Sequence, residues 1–195
     1  MKNLAQEQER LEKSRRSEHL MSVGVPLMHQ GASPSDKVAR AIRWFVKHKV
    51  LAHDSLCFIV SKFPEDSYVA GSYMAETATD SRITAAEIGF RSLLRMRKAS
   101  FERGAEAKSI LRNVFTYPDI VIVVNISVPT MKDWCDIRDV EWLGSVIHKR
   151  VLNKQKTVFC ITPQFSEDKL DKLLGEANAT AVSNAFVIDM EHVKK

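Results

Sequence analysis

Residues 119–128 read DIVIVVNISV, a continuous β-branched run. A strand this apolar has no polar face to present to water, so it reads as the centre of a sheet covered on both sides. That requirement constrains the whole chain, because parallel central strands must be joined by crossover helices. Three further apolar runs supply neighbours: LCFIV (56–60), TVFCIT (157–162) and AFVIDM (185–190). A weaker strand is expected near Arg82–Thr84. Helical periodicity fills the intervals at 69–79, 85–99, 104–116 and 142–152, the third through Ile110, Leu111, Val114 and Phe115. SEDKLDKLLG (166–175) reads as a short helix closed by Gly175. Ser35 or Asp36 can cap a helix whose apolar stripe is Val38, Ile42, Phe45 and Val46. The fold class is therefore α/β, a doubly wound and mainly parallel sheet with helices on both faces.

The remainder is an N-terminal unit, residues 1–34, of polar helix and linker. NLAQEQERLEKSRRSEHL is rich in helix formers, but Leu4, Leu11 and Leu20 make no sustained heptad, so an exposed helix is expected. GVPLMHQGASPS is a linker by its Gly, Pro and Ser content, and the core domain is read as 35–195. No apolar run approaches the roughly 18 residues of a membrane span. Cys57, Cys135 and Cys160 form no C-x-x-C pair, which reads as reduced thiols and a cytoplasmic protein. The histidines show no metal-ligand spacing, so no metal is expected. Asp133, Asp136, Asp139 and Glu141 read as helix N-terminal charge rather than as ligands.

Between LCFIV and the helix at 69–79 lie SKFPEDSY, residues 61–68. That is the length and position of a phosphate-binding loop, G-x-x-x-x-G-K-[ST], without its chemistry. Ser61 and Asp66 stand at the glycine positions, Ser67 at the lysine and Tyr68 at the Mg-binding hydroxyl. Pro64 removes one backbone N–H, while Glu65 and Asp66 add negative charge where phosphates would lie. No G-K-[ST] occurs elsewhere in the chain.

With these elements in order, the chain resembles the AAA+ ATPases that load bacterial replicative helicases, the DnaC type, and the IstB-type helpers of transposases. The resemblance runs from ERLEKSRRSEHLMSVGVPLMHQGAS through KVARAIRWFVKH and DIVIVVNIS to RVLNKQKTVFCITPQFSEDKLDKLLGEA. It implies a three-layer α/β/α P-loop NTPase-like fold with a five-stranded sheet in an order such as 5-1-4-3-2. It also implies where the nucleotide chemistry would sit. The Walker B acids, which hold Mg²⁺ and polarise the attacking water, fall on Val124 and Asn125. The sensor-1 asparagine falls on Gln164, and the arginines offered to a neighbour's γ-phosphate fall on Ala177 and Ala181. On this resemblance the ATPase site is degenerate, with no catalytic residue and no cofactor expected.

What survives is surface. Arg91, Arg95 and Lys98 fall at i, i+4 and i+7 on one helix face, with Arg97 and Arg103 nearby. Arg150, Lys154 and Lys156 form a second basic group, and Arg10, Lys13, Arg15 and Arg16 a third. The net charge of +5 is modest for a dedicated nucleic-acid binder. Trp44, Trp134 and Trp142 sit beside helical apolar stripes and read as packing. Three functions follow: a pseudo-ATPase docking on a protein partner (an AAA+ ATPase, a helicase or a transposition protein), a nucleotide-independent single-stranded DNA-binding module, and an ATPase with an unorthodox site. The first is favoured, and oligomerisation stays open. Helicase loaders carry a separate helicase-binding domain before the core, and about twenty polar residues stand in its place here, which argues against loading by the usual contact.

Overall fold

The computed structural model describes residues 2–48, 55–102, 104–127, 135–163 and 173–191. Helix α1 (Lys2–Ser22) leads through a 3₁₀ turn to α2 (Asp36–Lys47). The core then alternates: β1 (Leu56–Val60), α3 (Pro64–Asp80), β2 (Ala85–Gly89), α4 (Phe90–Glu102), α5 (Ala105–Thr116), β3 (Ile120–Ile126), α6 (Ile137–Leu152), β4 (Lys156–Ile161), a 3₁₀ turn at Glu176–Asn178, α7 (Ala179–Ser183) and β5 (Phe186–Asp189). All strand pairs are parallel, and the sheet order is β2-β3-β4-β1-β5. Read from the other edge this is 5-1-4-3-2, the order the resemblance implies.

The apolar runs divide residue by residue between two half-cores. Ile120, Ile122 and Val124 face one side with Cys57, Ile59, Val158 and Cys160, against α2 and α3. Val121 and Val123 face the other side with Leu56, Phe58, Phe159 and Ile161, against α4, α5 and α6. This period-two division is why β3 has to be apolar throughout. The parity breaks once. Asn125 has φ +60, the β3–β4 register shifts between Val123 and Ile126, and Ile126 joins the Val121 side. A left-handed residue inserted in the strand turns the next side chain over, and asparagine tolerates that conformation better than the β-branched residues around it.

Three sequence expectations are corrected. The strand near Arg82–Thr84 lies at Ala85–Gly89, and the helix expected from residue 85 begins at Phe90. AAEIG has helix-forming residues, yet its backbone pairs with β3 from Ala85↔Ile120 to Gly89↔Val124, so tertiary pairing overrides local preference. The helix expected at 69–79 begins five residues earlier, at Pro64, whose fixed φ and missing N–H suit a first helical position. The expected helix at 166–175 lies largely outside the described residues.

The N-terminal segment is exposed along α1 but anchored at its end. Leu20 and Val25 are buried in the α2–α3 half-core. Val23 O accepts from Glu87 N at 2.7 Å, so the linker adds to the outer edge of β2. Gly24 makes this approach possible: φ is +100, and a Cβ there would lie 2.0 Å from Glu87 O. Arg16 pairs with Asp80 at 3.1 Å and Glu76 at 3.6 Å, and Glu76 Oε1 accepts from Gly31 N at 2.7 Å.

Candidate functional site: the strand ends

In a parallel sheet of this order, ligands meet the carboxyl ends of the strands. Ser61 occupies that edge beside β4, with its N–H donating to Ile161 O at 3.0 Å. The connection from β1 to α3 is only Ser61, Lys62 and Phe63, not the eight residues expected from sequence. The buried Ser61 hydroxyl accepts from Phe63 N at 3.2 Å and lies 2.9 Å from Phe63 O. The turn thus uses one of the backbone N–H groups that would face an anion. The first turn of α3 then carries Pro64, Glu65 and Asp66. The two carboxylates supply the negative charge that a helix N-terminus favours.

The other slot residues are engaged in packing. Ser67 is buried. The Tyr68 ring stacks on His29 of the linker, 5.7 Å between centroids and 3° between planes. Its hydroxyl lies against Gly89 at the end of β2. Val124 is buried against Gly71 of α3, so closely that a Cβ on Gly71 would stand 2.5 Å from Val124 Cγ1. Asn125, beside it, is half-buried at the bulge. Ala177 is exposed in the 3₁₀ turn, whereas Ala181 is buried among the α6-side residues. Gln164 lies outside the described residues.

Of the basic groups, Arg91, Arg95 and Lys98 are all exposed on α4. Arg97 turns inward, 4.3 Å above the Phe101 ring, 5.1 Å from the Trp142 ring and 4.0 Å from Asp139 Oδ1. Arg103 lies outside the described residues. The second group is corrected, because two of its members are interior. Arg150 is 2% exposed and donates to the carbonyls of Phe115, Pro118, Asp119 and Lys156 and to the Thr157 hydroxyl. Burial brings its guanidinium down to about 10. Lys156 donates to the carbonyls of Phe45, Val46 and His48, and burial lowers its ammonium to about 8. These cations close the amino ends of the strands and cannot line a phosphate track. In the third group, Lys13 pairs with Glu9 at 2.7 Å and Arg16 is tied to α3.

The acidic residues before α6 act as helix-cap charge. Asp136 accepts from Asp139 N at 3.0 Å, and Asp139 accepts from Asp136 N at 3.2 Å, a reciprocal capping box. Trp44 stacks on His48 and packs against Phe186, and Trp142 meets Phe115 edge-on. Trp134 and Asp133 lie outside the described residues. Sequence reading missed Glu87, which is 7% exposed on β2. Burial raises its carboxyl to about 8, and the Ser72 hydroxyl donates to it at 3.1 Å. A glutamate inside an unrecognised strand carried no signal of burial.

Solved structures share this architecture. A DnaC helicase loader superimposes with a TM-score of 0.57 at 16% identity, over 84% of this chain and 99% of the loader. DnaI gives 0.58 at 16% identity, over 86% of this chain and 92% of its own. AMPPCP-bound DnaA from Aquifex aeolicus gives 0.58 at 9% identity over 77% of this chain. The chain shares the α/β fold of these structures. The chain spans under half of that DnaA chain, 44%. No protein-family model and no curated protein matches the sequence. Among the described residues, no helix is long and apolar enough to cross a membrane.

Proposed function

We propose that this chain is a pseudo-ATPase that uses the AAA+ fold as a docking scaffold for a protein partner in DNA replication, recombination or transposition. The observation that carries the reading is the start of α3. A three-residue connection, a proline and two carboxylates stand where a phosphate loop would present N–H groups and a lysine. At an effective dielectric near 20 and about 5 Å, each carboxylate–phosphate pair costs about 3 kcal/mol. A helix N-terminus returns only ~0.3–1 kcal/mol. The neutral residues Val124 and Asn125 at the Walker B positions support the same reading. Isothermal titration with Mg-ATP is expected to give no saturable heat at micromolar concentrations, and turnover is expected at contaminant background. A stoichiometric heat, or turnover abolished by Asp66→Ala, would overturn the proposal. Affinity capture from the native host, followed by reconstitution with purified candidates, identifies the partner.

A second reading has its own observation: Arg91, Arg95 and Lys98 share one exposed face of α4. A DnaA of this fold has been solved with AMPPCP and single-stranded DNA. If these residues track phosphates, replacing all three with Ala reduces the log–log salt slope by ~0.7 per lost contact. Wild-type protein with no salt-steep DNA binding in an anisotropy titration removes this reading.

A further inference from the structure

A concave surface lies away from the carboxyl ends of the strands, toward the amino ends of β3 and β4. It is an open trough of about 540 Å³ between α4, α5 and α6. Its floor is apolar and built from the core: Leu111 and Phe115 are buried, and Val146 is half-buried beside them. Phe101 forms one wall and stays 65% exposed. Around this floor stand three exposed cations, Lys108 and Arg112 one turn apart on α5 and Lys149 on α6. Among the described residues no acidic side chain lines the trough and none forms an ion pair with these three.

We infer that this trough binds an acidic amphipathic helix of the partner protein, with apolar anchors on Leu111, Phe115 and Val146 and carboxylates facing Lys108, Arg112 and Lys149. A groove between packed helices takes a further helix by its apolar stripe, and the cationic margin selects the sign of the flanking charge. Nucleic acid fits less well. Base stacking along a strand needs successive free aromatic faces, and here Phe101 alone keeps a largely exposed ring, with Arg97 over one of its faces; Trp142 is met by Arg97 and edge-on by Phe115, which is itself buried. This inference rests on the docking reading above and names its surface and the chemistry of its partner.

The test uses the full chain and a fluorescein-labelled helical peptide with Leu or Phe at i, i+3, i+4 and i+7 and Glu elsewhere. A control peptide carries Lys in place of Glu. Wild type is expected to bind the acidic peptide and not the basic one, and R112E/K149E to bind it at least about tenfold more weakly. Both substituted residues are exposed, so unchanged circular dichroism is expected; F101S, which alters the wall without changing charge, gives an independent second variant and is expected to weaken binding too. Equal binding of the two peptides, or equal affinity of wild type and both variants, overturns the inference. So does competition by an oligo-dT strand that the same substitutions abolish, which assigns the trough to nucleic acid. A self-association of wild type that R112E/K149E removes, seen by sedimentation, assigns it to a second copy. Failure here with a silent Mg-ATP titration leaves docking by another surface; Mg-ATP binding with the peptide result intact removes the pseudo-ATPase reading alone.

Discussion

Glu87 offers the most quantitative check on this structure, through the replacement Glu87→Gln. The carboxyl lies between β2 and α3, with Ser72 donating to it and Glu76 nearby, and burial raises it from an ordinary 4.5 to about 8. A raised carboxyl binds a proton in the folded state that the unfolded chain has already released. Its stabilising effect is therefore complete below the ordinary value and is lost as pH rises through about 8. Across the window from about pH 6 to about pH 8 the slope approaches ~1.4 kcal/mol per pH unit and flattens near the top, a loss of about 2 kcal/mol. For a chain of this size that is a fall in Tm of roughly 4–8 °C. Glutamine keeps the shape and can accept from Ser72 but does not titrate, so E87Q is expected to lack this part of the pH dependence. Thermal unfolding of both proteins at the two pH values isolates it, because every other titrating group is common to both. A gap between wild type and E87Q that is the same at pH 6 and pH 8 would refute the buried, protonated carboxyl.

Two other perturbations test the interior cation and the docked linker. Arg150→Ala takes a donor from four backbone carbonyls, of which Pro118 keeps Gln155 and Asp119 keeps the Lys156 N–H, and is expected to cost about 2–4 kcal/mol in urea unfolding; a loss under about 1 kcal/mol would mean Arg150 is a surface cation after all. Gly24→Ala places a methyl group against Glu87 O and is expected to detach the linker from β2, seen as faster amide exchange at Glu87 and through residues 19–25. Unchanged protection there would show that the contact is not tight.

Much of the architecture was legible because it depends on burial, which composition records directly. DIVIVVNISV had to be covered on both faces, and covering it demanded helices on each side. The stripe Val38, Ile42, Phe45 and Val46 faces inward for the same reason. The amphipathic stretch 137–152 gained a turn, since its capping box depends on Asp136 and Asp139, polar residues outside the apolar period.

Other features exist only because distant segments meet. Ala85–Gly89 is a strand by virtue of β3, not of its own residues. Arg150 and Lys156 look like solvated cations in sequence, and become interior because carbonyls converge on them from as far as 35 and 111 residues away. The same holds at the strand ends. Sequence alone determined that the residues of a phosphate loop are missing between β1 and α3. Only the tertiary structure decided what replaced them: a helix begun early at Pro64, a serine hydroxyl bonded to its own turn, and Val124 packed on Gly71. Residue identity records which chemical groups a chain carries, whereas which of them fill a given space depends on contacts between segments far apart in the chain.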